Sequence, residues 1–167
     1  SDQPVYALSK EIQIRFNKTF GEGKYFVRFG DLHIEKSLLA VHADIIKGSG
    51  LKEILEANDL SFTGADAIVN VNDIKKARYC LQVSASALYM KLKEAHLASN
   101  SVLPILDWLK KSRSKKSAMS LYWSIIFEVE LHILAFIRSI REGNFELYKA
   151  TLWVLMKWYF ALDHTNY

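Results

Sequence analysis

The apolar and polar positions are least evenly mixed near the C-terminal end of the chain. Across 121–140 almost every side chain is apolar or aromatic, and Glu128, Glu130, His132 and Arg138 break the run. A helix this apolar on all sides has to be buried. Residues 107–116 supply a solvated lead-in, and Gly143 ends the helix by accepting the left-handed conformation that closes helices. Asn144 is placed to cap the next helix. That helix, 145–162, carries Trp153, Trp158, Tyr159 and Phe160 and also needs cover. The two read as an antiparallel hairpin at the core of the domain.

Upstream, Val5, Leu8, Ile12 and Phe16 recur at three-to-four spacing, which predicts an amphipathic helix over 5–17 that Gly21 and Gly23 break. In 24–29, Tyr25, Val27 and Phe29 alternate with Lys24, Phe26 and Arg28, the pattern of a strand with one buried face. A second, short strand is expected ahead of Asp2. Asp31 can cap a helix to about Lys47 with Leu32, Leu38, Leu39, Val41, Ile45 and Ile46 facing inward. Gly48-Ser49-Gly50 ends it. Short helices are expected at 51–57 and 64–69. Asn72 or Asp73 then caps a long helix to about Leu97, whose small residues at 83–87 allow another helix close approach. Pro104 suits the first turn of a short helix through Leu109. The expected fold class is mainly α with one or two strands (α+β), one domain built around the C-terminal hairpin.

Composition narrows the setting. The chain has 167 residues, enough for one domain with its own core. Its lone cysteine, Cys80, excludes an internal disulfide and leaves too few thiolates for a structural zinc site, which fits the reducing cytoplasm or nucleus. The opening Ser1-Asp2-Gln3-Pro4 has no initiator Met and no signal features, and reads as a domain cut from a longer chain. The apolar runs 121–127 and 133–137 stop well short of the roughly 20 residues a membrane span needs, so no membrane partner is expected. The net charge of +4 is concentrated: 107–116 holds Lys110, Lys111, Arg113, Lys115 and Lys116 against Asp107, and the remaining residues balance. Such a run is either a solvated helix end or a contact to DNA or another acidic partner, because clustered cations release counterions from phosphate. The aromatic helices also offer a surface for a homo-oligomer.

Candidate chemistry comes from scattered acids and histidines. His33 and Glu35 follow the expected strand, and Asp2 ends whatever precedes Val5; strand ends are where open α/β sheets hold ligands and metals. Asp2, His33 and Glu35 are therefore candidate ligands for Mg²⁺ or Mn²⁺, which prefer oxygen donors. Glu128 or Glu130 can add a carboxylate from the hairpin, and two such ions would clamp the attacking and leaving oxygens of a phosphoryl transfer. The alternative is structural: Asp2 caps a helix, His33 is a hydrogen-bonded interior residue and Glu35 is solvated. Glu128 and His132, four apart, form either a metal pair or a local hydrogen bond. Glu130 shares a face with Trp123, Phe127, Leu134 and Ile137, and its burial calls for a cation, a metal or a proton; Arg78, Arg138 and Arg141 are possible partners. His42, His96 and His164 show no convergent partner, and Cys80 reads as a small buried hydrophobe. Gly48-Ser49-Gly50 is too short for a phosphate loop and follows a helix.

Several segments together resemble a group of multi-copy, mobile-element-associated proteins of invertebrate genomes: Asp2-Gln3-Pro4, Leu32-His33-Ile34-Glu35, Gly48-Ser49-Gly50, 136–144 and 160–167. The resemblance implies a transposase-like or integrase-like nucleic-acid-processing protein with a partial RNase H-like fold carrying a helical insertion. It would make Asp2 the acid ending a central strand, place His33 after the next strand, and make Glu128 or Glu130 the late acid on a helix. The chain departs from that pattern: a first catalytic acid on an earlier strand is absent, and Asp31 stands where the group has a second glycine after Gly30. A fragment of this kind is expected to be inactive alone. The competing readings are a helical interaction or scaffold module, in which the acids are structural, and a small-molecule enzyme.

Overall fold

Helices α1 (Gln3–Arg15) and α2 (Asn17–Phe20) open the chain, and α3 (Asp31–Ile46) follows an irregular stretch. The computed structural model describes residues 3–58, 73–112 and 117–162. The chain divides into two compact units, Ser1–Ser37 and Leu38–Tyr167.

In the first unit the amphipathic helix forms as expected but stops at Arg15, where Phe16 interrupts it before α2. The expected strand over 24–29 is not there, and among the described residues there is no strand at all. A strand needs a neighbour to take its backbone groups. Here the segment's first residues turn back on the chain instead: Lys24 and Tyr25 donate their N–H groups to the Gly21 carbonyl at 2.9 and 3.1 Å. The Gln13 side-chain amide donates to the Tyr25 carbonyl at 2.6 Å. The alternating side chains serve ring packing instead, with Phe29 stacked on Tyr6 at 4.0 Å between centroids. The described residues are therefore all-α, which overturns the α+β expectation. The RNase H-like fold falls with it, because a strand sheet is its centre. The strand expected ahead of Asp2 and the helix expected at 64–69 lie outside the described residues.

Among the described residues the second unit holds the remainder of α3 and five more helices: α4 (Leu51–Ala57), α5 (Ile74–Ala98), α6 (Ile105–Ser112), α7 (Ala118–Glu142) and α8 (Phe145–Ala161). The starts of α5, α7 and α8 are chemically marked. Asp73 accepts from the Lys75 and Lys76 amides at 3.1 Å, Ser117 from Ser120 at 3.3 Å and Asn144 from Leu147 at 3.0 Å. Each cap satisfies donors that a helix leaves open at its first turn. Gly143 turns the hairpin with φ of 63°, and behind it Asn144 donates to the Ser139 carbonyl at 2.9 Å. That pairing is a Schellman closure.

Helix α7 is the axis of this unit and packs against α5 and α8. Its buried residues Ile126, Val129, Ile133, Phe136 and Ile137 follow helical spacing, and Phe136 meets Tyr148 of α8 with ring centroids 5.2 Å apart. Ile46, Leu51, Leu55, Cys80 and Ile126 form a second apolar cluster, which joins α3, α4, α5 and α7. Tyr122 ties α7 to α3 by donating to the Ile45 carbonyl at 2.8 Å. The small residues Ser84 and Ala85 are buried on α5, as close helix approach requires. Cover for α8 is less complete than its sequence led us to expect. Tyr148, Thr151, Leu155 and Tyr159 turn inward, while Trp153 and Phe160 stay 83% and 68% exposed. By length and composition α7 is also the one helix among the described residues that is apolar enough to cross a membrane.

Candidate functional site

Polar side chains from three helices of the second unit meet at a single atom in the apolar interior. His42 lies on α3 one turn from Leu38 and from Ile46; Ser84 lies on α5 one turn from Cys80 and Leu81; Glu130 lies on α7 one turn from Ile126 and Ile133. Apolar packing of those neighbours carries the polar groups inward with them. The Ser84 hydroxyl donates to Glu130 Oε1 at 2.7 Å, and His42 Nε2 donates to the same oxygen at 3.0 Å. Both ionisable side chains are shut off from solvent, His42 at 3% exposure and Glu130 at 0%. The second oxygen, Glu130 Oε2, is buried without a hydrogen-bond partner.

Withdrawing a carboxylate from water costs several kcal/mol unless donors replace the lost hydration. Two donors on Oε1 offset part of that cost. The carboxylate stands between the serine and the imidazole, so the order is Ser–Glu–His, with the histidine off the hydroxyl. A hydrolytic relay needs the imidazole on the hydroxyl, where it can take the serine proton. This set is instead a junction that fixes three helices around one acceptor, with a spare acceptor oxygen beside it.

Ser84 also belongs to a neighbouring surface. It lines a cleft of about 460 Å³ formed by α4, α5 and α7, whose walls include Leu51, Ile54, Leu88, Leu92 and Trp123. The α5 wall runs from Ser84 to Ala95 along one helix face. At 1.5 Å per residue that is about 16 Å of groove. Its other polar lining is sparse: Ser120, Ser124 and Lys91, the last held at the surface by Glu94 at 2.9 Å. The Ser124 hydroxyl donates to the Ser120 carbonyl at 2.6 Å.

The residues singled out in the sequence are placed as follows. Asp2, Arg113, Lys115, Lys116 and His164 lie outside the described residues. His33 is exposed and Glu35 buried, both on α3. Glu128 is half-buried, and its main-chain carbonyl accepts from His132 Nδ1 at 2.6 Å, so the 128/132 spacing yields a ring-to-backbone bond. Lys110 and Lys111 are exposed in the last turn of α6, where cations favour a helix C-terminus. Arg138, considered as a partner for Glu130, pairs instead with Glu142 at 2.7 Å on the surface. His42, which showed no partner in the sequence, is the one that meets Glu130. His96 donates to the Leu103 carbonyl at 2.7 Å. Cys80 is 1% exposed, and burial pushes its thiol pKa up, as suits a packing residue. Among the described residues no group of three or more His, Cys, Asp and Glu side chains is arranged to hold a metal ion.

Sequence reading missed the junction and the cleft, although one signal was present. His42, Ser84 and Glu130 each occupy an inward position in an otherwise apolar helical stripe, and buried polar groups seek one another. No family model matches this chain, and no match to it is found among curated proteins or solved structures.

Proposed function

We propose that this chain is a helical binding module whose working surface is the cleft among α4, α5 and α7. One observation carries the reading: a preformed, largely apolar concavity of about 460 Å³ edged by Trp123, with few polar groups. Its size lies within the roughly 300–1,000 Å³ typical of ligand sites, which are mostly apolar with a few fixed polar groups. The buried junction at Glu130 supports the site by holding α5 and α7, two of its three walls, in register.

A neutral solvatochromic dye such as Nile red tests this. The expected result is saturable fluorescence enhancement that Ala87→Trp abolishes, because Ala87 lines the cleft and is exposed, so an indole there fills space without entering the core. Enhancement that is absent, or that survives this substitution, removes the reading. A second reading, phosphate contact by the 110–116 run, is favoured by the exposure of Lys110 and Lys111. It requires DNA affinity that falls steeply as salt rises; affinity that is absent or indifferent to salt rejects it.

A further inference from the structure

The chemistry of the cleft's polar lining narrows what it takes. Ser84 and Ser124, at 4% and 2% exposure, are the most buried polar side chains on its surface. Both have already given their hydrogens away, Ser84 to the Glu130 carboxylate and Ser124 to the Ser120 carbonyl. A serine hydroxyl owns one hydrogen and two lone pairs. What each can still offer is therefore an acceptor.

Behind Ser84 stands Glu130, which takes the Ser84 hydrogen on one oxygen and whose second oxygen has no donor, so that end of the cleft presents acceptors and no hydrogen. The cationic lining residue, Lys91, is engaged by Glu94. It lies two helical turns along α5 from Ser84, roughly 10 Å away.

Resting on the proposed use of the cleft, we propose that its ligand is an elongated apolar molecule ending in a single hydrogen-bond donor, a hydroxyl or an ammonium, which reaches the Ser84 oxygen while the hydrocarbon lies along Leu88 and Leu92. A carboxylate terminus brings acceptors to acceptors at the floor. It would also leave Ser84 facing a negative group with no hydrogen to give, unless that hydrogen were withdrawn from Glu130. Loss of a partner for a buried polar group is what makes such sites selective.

Calorimetric titration of the full chain with 1-decanol, decylamine and decanoate, below their aggregation concentrations, separates the outcomes. The expected result is that the alcohol and the amine bind about tenfold or more tightly than decanoate, the size of effect one well-placed hydrogen bond supplies. All binding is expected to vanish in Ala87→Trp. Should decanoate bind as well as the alcohol and still be blocked by Ala87→Trp, the donor preference is wrong and the cleft reading stands. Should no probe bind while Nile red does, the elongated-ligand inference is again wrong; should the dye fail as well, the cleft reading itself is lost. Ser124→Ala adds an independent check, because that hydroxyl bonds only within its own helix. Unchanged alcohol affinity with it, and loss with Ser84→Ala in a protein whose helical circular dichroism is intact, locates the donor at Ser84. Unchanged affinity in both variants overturns the inference.

Discussion

The two units of this chain bury opposite kinds of residue. Among the described residues of the first, the buried side chains are Gln13, Glu35 and Ser37, while Ile14 and Phe26 are more than 70% exposed. In the second, Leu38, Val41, Leu81, Ile126, Ile133, Phe136 and Leu155 are almost fully enclosed, and His42, Ser84 and Glu130 within it are tied to one another. Burial of apolar surface is the main favourable term in folding, so the second unit has its own source of stability. The first is held by polar contacts and ring stacking near its surface, of the kind that open at low free energy.

Breaking the second unit should produce the largest effects. Phe136→Ala removes a fully buried ring from the α7–α8 contact and is expected to cost about 3–5 kcal/mol in denaturant unfolding. Glu130→Ala should cost a similar amount, about 3–5 kcal/mol, because it leaves His42 and Ser84 buried without their acceptor. Glu130→Gln, which keeps the shape and an acceptor oxygen, should cost clearly less. Equal losses for the alanine and glutamine variants would show that charge, not lost partners, governs the junction. Gly143→Ala comes next. A Cβ there meets open space, so only the left-handed backbone is penalised, and a loss of about 1–2 kcal/mol is expected. A neutral result would mean that the hairpin corner relaxes out of its φ of 63°.

In the first unit the same experiments should give less. Tyr6→Ala deletes the stack on Phe29 and is expected to cost about 1 kcal/mol, measurable as faster amide exchange in α1 with the exchange of α7 unchanged. Faster exchange in both helices together would contradict this division of stability. The smallest effect concerns Lys10 and Glu22, joined at 2.6 Å. That hydrogen bond lowers the Glu22 pKa below its ordinary value and raises that of Lys10. Because the folded carboxyl pKa is depressed, the pair's contribution is present above the ordinary glutamate value and is lost as pH falls through the lower, folded one. A carboxyl-detected titration should find the Glu22 midpoint depressed, and Lys10→Met should return it upward; a midpoint indifferent to that substitution excludes the pairing in solution.

Local chemistry was readable from the residues. The caps at Asp73 and Asn144, the Gly143 corner and the helix at 51–57 follow from side-chain and backbone preferences that act within a few positions. The strand expected at 24–29 failed because alternation reports which way side chains point, not whether a second strand is present to take the backbone. The junction was hidden for a different reason. His42 and Glu130 are 88 residues apart, and Ser84 and Glu130 are 46 apart, so nothing near any of them in the chain names its partner. The cleft was hidden too, since three helices must be in place before its walls exist. Hydrophobicity alone predicts burial of Trp153 and Phe160, whereas the inward face of α8 follows the helical phase of Tyr148, Thr151, Leu155 and Tyr159.

The meeting of three helices at Glu130 Oε1 also decides which packings of this sequence are allowed. Sliding α7 by one turn, about 5.4 Å, would bring Ile126 or Ile133 opposite His42 and Ser84 and strand the acid among hydrocarbon. Apolar side chains of similar bulk tolerate such a shift, since one greasy contact replaces another. A lone acceptor with two donors does not, and it works as an indexing pin: it picks one alignment of α3, α5 and α7 from the several that the oily surfaces alone would accept.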